Sequence, residues 1–146
     1  TADHGEDLGE RGKEGHGPDV YERSIHVPLA LFVPGCPGVL VEQPVSGIDL
    51  YATLAALTGA EVASPTLYDA IAGRARPLPV VSETRFQDIL RRAVVSERYK
   101  LLVDVRTGGR LLFDLESDPE ETTSLYGEAP MTEQMEALYQ RWLDRP

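Results

Sequence analysis

The sequence predicts an α/β chain that passes into a small antiparallel sheet and closes on a terminal helix. Three observations predict it. A near-continuous apolar run, Ser24–Val33, ends on Pro34-Gly35. A capped stretch with helical spacing follows at 49–58. From Leu78 the texture changes to short β-branched runs broken by turns, and the chain ends on an amphipathic stretch, Thr132–Leu143. The length of 146 residues suits one domain, and 42% hydrophobic residues suffice for a core. That excludes a disordered tail or a fibre.

Residues 1–20 hold five Gly and one Pro, so they read as loop. Ser24–Val33, centred on Pro28–Val33, reads as a strand covered on both faces, as in a parallel α/β sheet. Residues 34–44 carry turn signals around a short apolar run, Val39–Val41. In the next stretch, Ile48, Tyr51, Leu54, Ala55 and Leu57 fall at helical spacing. Ser46 or Asp49 can cap that helix, and Gly59 can end it in the left-handed conformation. Residues 60–77 form a connector with a helical turn at Leu67–Ala72. Leu78–Glu83, Arg92–Ser96 and Tyr99–Val105 read as strands. Thr107-Gly108-Gly109 turns the chain back into Arg110–Leu115 as a hairpin. Asp118-Pro119-Glu120-Glu121 reads as a turn and a capped helical start. Met135, Leu138, Tyr139 and Trp142 share one face of the last helix and are core. The chain divides into 1–73, the α/β part, and 74–146, the sheet with its helix.

Fourteen basic and 24 acidic residues give a net charge of −10. Phosphate backbones need a basic surface, so a nucleic-acid partner is excluded. The charge is uneven: residues 1–73 hold 11 acids against 3 bases, and residues 74–146 hold 13 against 11. An acidic, Gly-rich front end with two of the three His suggests a cation site. No run of 18 apolar residues exists, so no membrane contact is expected of this segment. The single Cys36 excludes an intrachain disulfide framework. The residues carry no signal for oligomeric state.

Asp3-His4-Gly5 is the most informative short stretch. A carboxylate beside an imidazole can offer two ligands to one cation, provided a sharp turn brings them together. Gly5 supplies the freedom for such a turn.

The wider pattern is far more specific. Thr1-Ala2-Asp3-His4-Gly5-Glu6, Leu8-Gly9-Glu10-Arg11-Gly12, Gly15-His16-Gly17 and Tyr21-Glu22-Arg23-Ser24-Ile25-His26-Val27-Pro28-Leu29 closely resemble the sulfatase family of the alkaline phosphatase superfamily. The resemblance continues through Val33-Pro34-Gly35 and Ile48-Asp49-Leu50-Tyr51-Ala52-Thr53-Leu54. It extends to Arg98-Tyr99-Lys100-Leu101 and to Leu112-Phe113-Asp114-Leu115 with Asp118-Pro119-Glu120-Glu121. It covers nearly the whole chain, in order. The implied fold is part of an alkaline-phosphatase-like α/β/α sandwich, followed by a small C-terminal antiparallel sheet with a terminal helix.

The resemblance implies metal-dependent hydrolysis of sulfate esters. Asp3 and His4 are the implied ligands of one divalent metal ion. Oxygen-only shells favour calcium, and an imidazole ligand moves the choice toward manganese or zinc. His16 is the implied catalytic and substrate-binding residue, contacting the oxyanion or protonating the leaving group. Glu6 can support the metal ligands or serve structure. The pattern is broken at three places. Family members often carry His or Asp where Arg11 stands, an acid where Arg23 stands, and Arg where His26 stands. His26 precedes the apolar run and reads as a satisfied structural residue.

The family's nucleophile is a Cys or Ser in a C/S-x-P-x-R motif. Cys36 is followed by Pro37-Gly38-Val39-Leu40 and does not fit. The chain is therefore expected to be a C-terminal portion that lacks the nucleophile and is inactive alone. Two rival readings stand beside sulfate-ester hydrolysis. One is a phosphodiesterase, or a phosphoethanolamine- or phosphoglycerol-type transferase, acting on a phosphate ester. The other is a non-catalytic sulfatase-like domain. Family habit implies an extracytoplasmic address.

Overall fold

The computed structural model describes every residue except 13, 36, 77, 129 and 146, and of residue 10 the backbone alone. The readings of Cys36 therefore lie outside the described residues. Two short strands, β1 (Asp7–Leu8) and β2 (Glu14–Gly15), flank a 3₁₀ turn at Glu10–Gly12. Helices α1 (Glu22–Ile25), α2 (Gly47–Leu57) and α3 (Leu67–Ile71) follow. Strands β3 (Val80–Phe86), β4 (Ile89–Ser96), β5 (Tyr99–Asp104) and β6 (Arg110–Asp114) then form a four-stranded antiparallel meander, and α4 (Met131–Leu143) closes the chain.

Helix α2 starts two residues before the expected boundary because its capping box begins at Ser46. The Ser46 hydroxyl accepts from Ile48 N–H at 3.4 Å, and Asp49 Oδ2 accepts from Ser46 N–H at 2.7 Å. The far end closes on Gly59, at φ +84°. Gly59 N–H reaches the Ala56 carbonyl and Ala60 N–H the Ala55 carbonyl, which satisfies two end carbonyls. Thr53, fully buried, donates to the Asp49 carbonyl at 2.6 Å and accepts from Leu67 N–H at 2.8 Å. This bond fastens the start of α3 to α2. Asp49 also pairs with Arg76. The Ile48-Asp49-Leu50…Thr53 pattern is thus a helix start and a helix–helix tie.

The sheet alternates by twos, as a two-sided core requires. Val94, Leu101, Val103 and Leu112 face Met135 and Tyr139 of α4. Ala93, Leu102 and Phe113 face the other way, onto Val20, with Tyr21 and Ile25 packed at the edge. The segment that follows the front loop therefore sits directly on the sheet. Strands β3 and β4 run longer than expected and join in a two-residue turn, Phe86 pairing with Ile89. Gln87 takes φ +48° there without being glycine, so no turn signature marked it in the sequence.

Three expectations are corrected. The run Ser24–Val33 is not a buried strand. Ser24 and Ile25 belong to α1, and residues 26–33 have no regular structure. Phe32 is 88% exposed. A strand needs a hydrogen-bonded neighbour, and none of the described strands lies beside it. Asp118 does not start a helix; its carboxylate accepts from Thr122 and Thr123 N–H at 3.1 and 2.9 Å, an Asx-type turn. Residues 1–20 are not all loop, since β1 and β2 pair within them.

Candidate functional site

The β1–β2 ladder builds the site. Asp7 pairs with Gly15 and Leu8 with Glu14. One step further along this register, Glu6 lies opposite His16. His4 sits two residues before Glu6, the spacing that shares a face in extended chain. The side chains meet accordingly. His16 Nδ1 lies 3.2 Å from Glu6 Oε2, and the His4 and His16 rings stand 4.1 Å apart at 36°. His4, Glu6 and His16 offer ligand atoms all within 4.8 Å of one another, and all three face solvent.

Asp3 stands beside this cluster and outside it. Its Oδ1 accepts from His4 N–H at 3.1 Å, and its Oδ2 lies 3.8 Å from His4 Nε2. The side chain is 91% exposed. The Gly5 carbonyl, 2.8 Å from His4 Nδ1, raises the His4 pKa above its ordinary value, and the Asp3 and Glu6 charges add to this. So the structure brings together His4 and His16, with Asp3 next to His4. It adds Glu6, whose place opposite His16 follows from a pairing register too short to read from the sequence.

Gly5 has a different job from the one expected. It is not among the residues at positive φ. Its N–H donates to the Ser24 carbonyl at 2.9 Å, and a Cβ there would lie 1.8 Å from the Arg23 carbonyl oxygen. Gly5 permits two backbones to touch. His26 is exposed, with Nδ1 3.2 Å from Glu22 Oε2.

The departures at Arg11 and Arg23 find partners. Arg11 donates to the Glu120 carbonyl at 2.9 Å and to the Glu121 carbonyl, and lies 3.8 Å from the Tyr21 ring centre. Arg23 pairs with Glu120. Both therefore grip the turn after the sheet.

Comparison with known proteins agrees with the sequence pattern. The chain is 32% identical over 136 residues to the choline-sulfatase of Rhizobium meliloti strain 1021, covering 85% of this chain and 26% of that protein. It superposes on the solved structure of a sulfatase candidate from Bacteroides thetaiotaomicron VPI-5482 with a TM-score of 0.71 and 25% identity. That match covers 97% of this chain and 34% of the other. Ps i-CgsB, solved in complex with k-i-k-neocarrahexaose, matches with a TM-score of 0.55 and 25% identity, over 70% of this chain and 25% of that one. No family model matches. The chain thus spans about a quarter to a third of the relatives it resembles. In sequence and in fold, the chain is similar to segments of sulfatases.

Proposed function

We propose that the protein carrying this chain hydrolyses sulfate esters, and that the chain contributes the Asp3–His4 edge of a metal site together with His16. The convergence of His4, Glu6 and His16 beside Asp3, within a segment of sulfatase sequence, carries this reading. The division into 1–73 and 74–146 is proposed with it, supported by the change from capped helices to an antiparallel meander. A nucleophile outside these residues belongs to the same reading, as does an extracytoplasmic address. No helix among the described residues is long and apolar enough to cross a membrane.

Sulfatases generally use a divalent metal ion. The donor set fits one. Asp3 Oδ2 and His4 Nε2 are 3.8 Å apart, a gap that two metal–ligand bonds of about 2.0–2.4 Å can span. A carboxylate with an imidazole suits manganese or zinc as well as calcium. A bound divalent ion supplies positive charge against the ester's non-bridging oxygens. The chain's own residues do the rest. Glu6 holds the His16 ring through Nδ1, which leaves Nε2 for the ester. When the S–O bond breaks, the departing alcohol oxygen needs a proton; His16 as the imidazolium, its Nδ1–H directed to Glu6, gives up the Nε2 proton and is left as the neutral imidazole.

Turnover of an aryl sulfate and a bis-aryl phosphate by the full-length protein tests this reading. Metal-dependent cleavage of the sulfate is expected. Cleavage of the phosphate ester alone would assign a phosphoryl-group enzyme, and no cleavage with no bound metal would assign a non-catalytic domain.

A further inference from the structure

Among the described residues, Lys100 is the largest fully buried side chain, at 0% exposure. Its Nζ lies 2.9 Å from Glu22 Oε1 and 2.8 Å from Glu121 Oε1. Glu121 is itself 3% exposed, and its Oε2 accepts from Glu22 N–H, in the first turn of α1, at 2.7 Å. Burying charge is costly unless each ion is paired and hydrogen-bonded. The three groups come from three distant stretches, so the pairing exists only when α1, β5 and the turn after β6 are in register. Glu121 holds φ +54°, a conformation that side-chain-bearing residues disfavour. Its N–H donates to the Asp118 carbonyl at 3.0 Å, and the Asp118 carboxylate ties Thr122 and Thr123.

We infer that Lys100, Glu22 and Glu121 form a buried clasp that positions the candidate site, with Lys100 and Glu121 as positioning residues. The path is continuous. The clasp seats α1 on the sheet. The Ser24 carbonyl, on α1, accepts from Gly5 N–H at 2.9 Å, and the Gly5 carbonyl faces His4 Nδ1 at 2.8 Å. Arg11 and Arg23 reinforce the same seam from the outside, through Glu120 and the Glu121 carbonyl. Nothing in this path touches the ester, so the clasp acts through His4 and the loop that carries it. The Tyr21-Glu22, Arg98-Tyr99-Lys100 and Asp118-Pro119-Glu120-Glu121 motifs, far apart in sequence, thereby acquire one shared purpose.

The catalytic side of this inference rests on the proposed sulfatase activity; the structural side does not. Amide hydrogen exchange in the full-length protein separates them. Lys100→Met should speed exchange at Gly5 and at residues 24–26 by about tenfold or more, while amides of β4 and β5 stay protected. Glu121→Gln keeps an acceptor for Glu22 N–H, drops the charge, and serves if Lys100→Met does not fold. In the same samples kcat for an aryl sulfate should fall roughly tenfold with KM nearly unchanged, the mark of a misplaced site. Unchanged exchange at Gly5, or equal loss of protection in the loop and the sheet in both variants, would overturn the clasp as a positioning device. An absence of activity in the unsubstituted protein would sink the sulfatase reading and leave the exchange result to decide the clasp.

Discussion

Gly5→Ala adds one methyl group where two backbones already meet. The new Cβ would lie 1.8 Å from the Arg23 carbonyl oxygen and 3.4 Å from Ser24 Cα. Contacts of this kind are tight below 3.4 Å. The Asp3–Glu6 loop and α1 must therefore separate by more than an ångström. That separation takes the Gly5 N–H···O=C Ser24 bond, now 2.9 Å, out of range. Losing one intramolecular hydrogen bond costs about 1 kcal/mol, and forcing a methyl into a filled contact costs about 1–3 kcal/mol. Together the change should destabilise the protein by roughly 2–4 kcal/mol. Gly12→Ala is the control. Gly12 has φ +67° and open space around it, so its cost is the left-handed backbone alone, on the order of 1–2 kcal/mol. Chemical denaturation followed by circular dichroism should rank Gly5→Ala below Gly12→Ala, and exchange at residues 24–26 should rise only in the former. A Gly5→Ala protein as stable as the control, with residues 24–26 unchanged, would refute the close-approach argument and return Gly5 to a role in loop freedom.

Four further outcomes are expected. His16→Ala in the full-length protein should keep its metal and melting temperature and lose about two to three orders of magnitude in sulfate turnover; near-normal turnover from pH 5 to 9 would make His16 a loop residue. Asp3→Ala and His4→Ala should each strip the metal as measured by elemental analysis, whereas Glu6→Gln should retain it; metal loss in His4→Ala and Glu6→Gln but not in Asp3→Ala would move the ligand set onto the His4–Glu6–His16 cluster. Asp49→Ala removes the reciprocal cap of α2 and leaves Arg76, a largely buried partner, without its carboxylate; a loss of about 3–5 kcal/mol in unfolding free energy is expected. Asp69 accepts from Thr66 N–H at 2.7 Å, from the Thr66 hydroxyl at 2.8 Å and from Arg74 at 2.6 Å, which together hold its pKa at about 2, down from 3.8. A depressed carboxyl stabilises the fold above its ordinary pKa and stops doing so as pH falls through the folded value, so the stability gap between the parent and Asp69→Ala should be full at pH 6 and close toward pH 2.

The features legible in the sequence are those decided by neighbours along the chain. Ser46, Asp49 and Gly59 bracket α2 within a few residues, and the period-2 pattern of β4 to β6 needs only the strands themselves. The features that were not legible depend on what comes near from elsewhere. The apolar stretch 26–33 reads as buried from its composition and is mostly exposed, because burial needs a cover and none of the described strands supplies one. Gln87 turns a hairpin because β3 and β4 already pair on both sides of it. Gly5 looks like a hinge in one dimension and is a contact point in three.

The motif charges make the same point in physical terms. In sequence, Arg98-Tyr99-Lys100-Leu101 marks the start of a strand and leaves open which face its cations take. In the fold, Lys100 is on the same face as Leu102 and points under α1, and only Arg98 remains at the surface, where it pairs with Asp114 and Glu116. Strand alternation alone places Lys100 on one of two faces; which face is dry depends on where Val20 and Tyr21 pack, 78 residues before Lys100 in the case of its partner Glu22. Asp3 and His4 stand out in the sequence because chemistry restricts which side chains can bind a cation, and His16 stands out through the family resemblance. The residues that hold them in place are restricted by geometry instead. Exchange at Gly5 in the Lys100→Met protein therefore measures a link between those two sets, the backbone bond from Ser24 to the residue after His4.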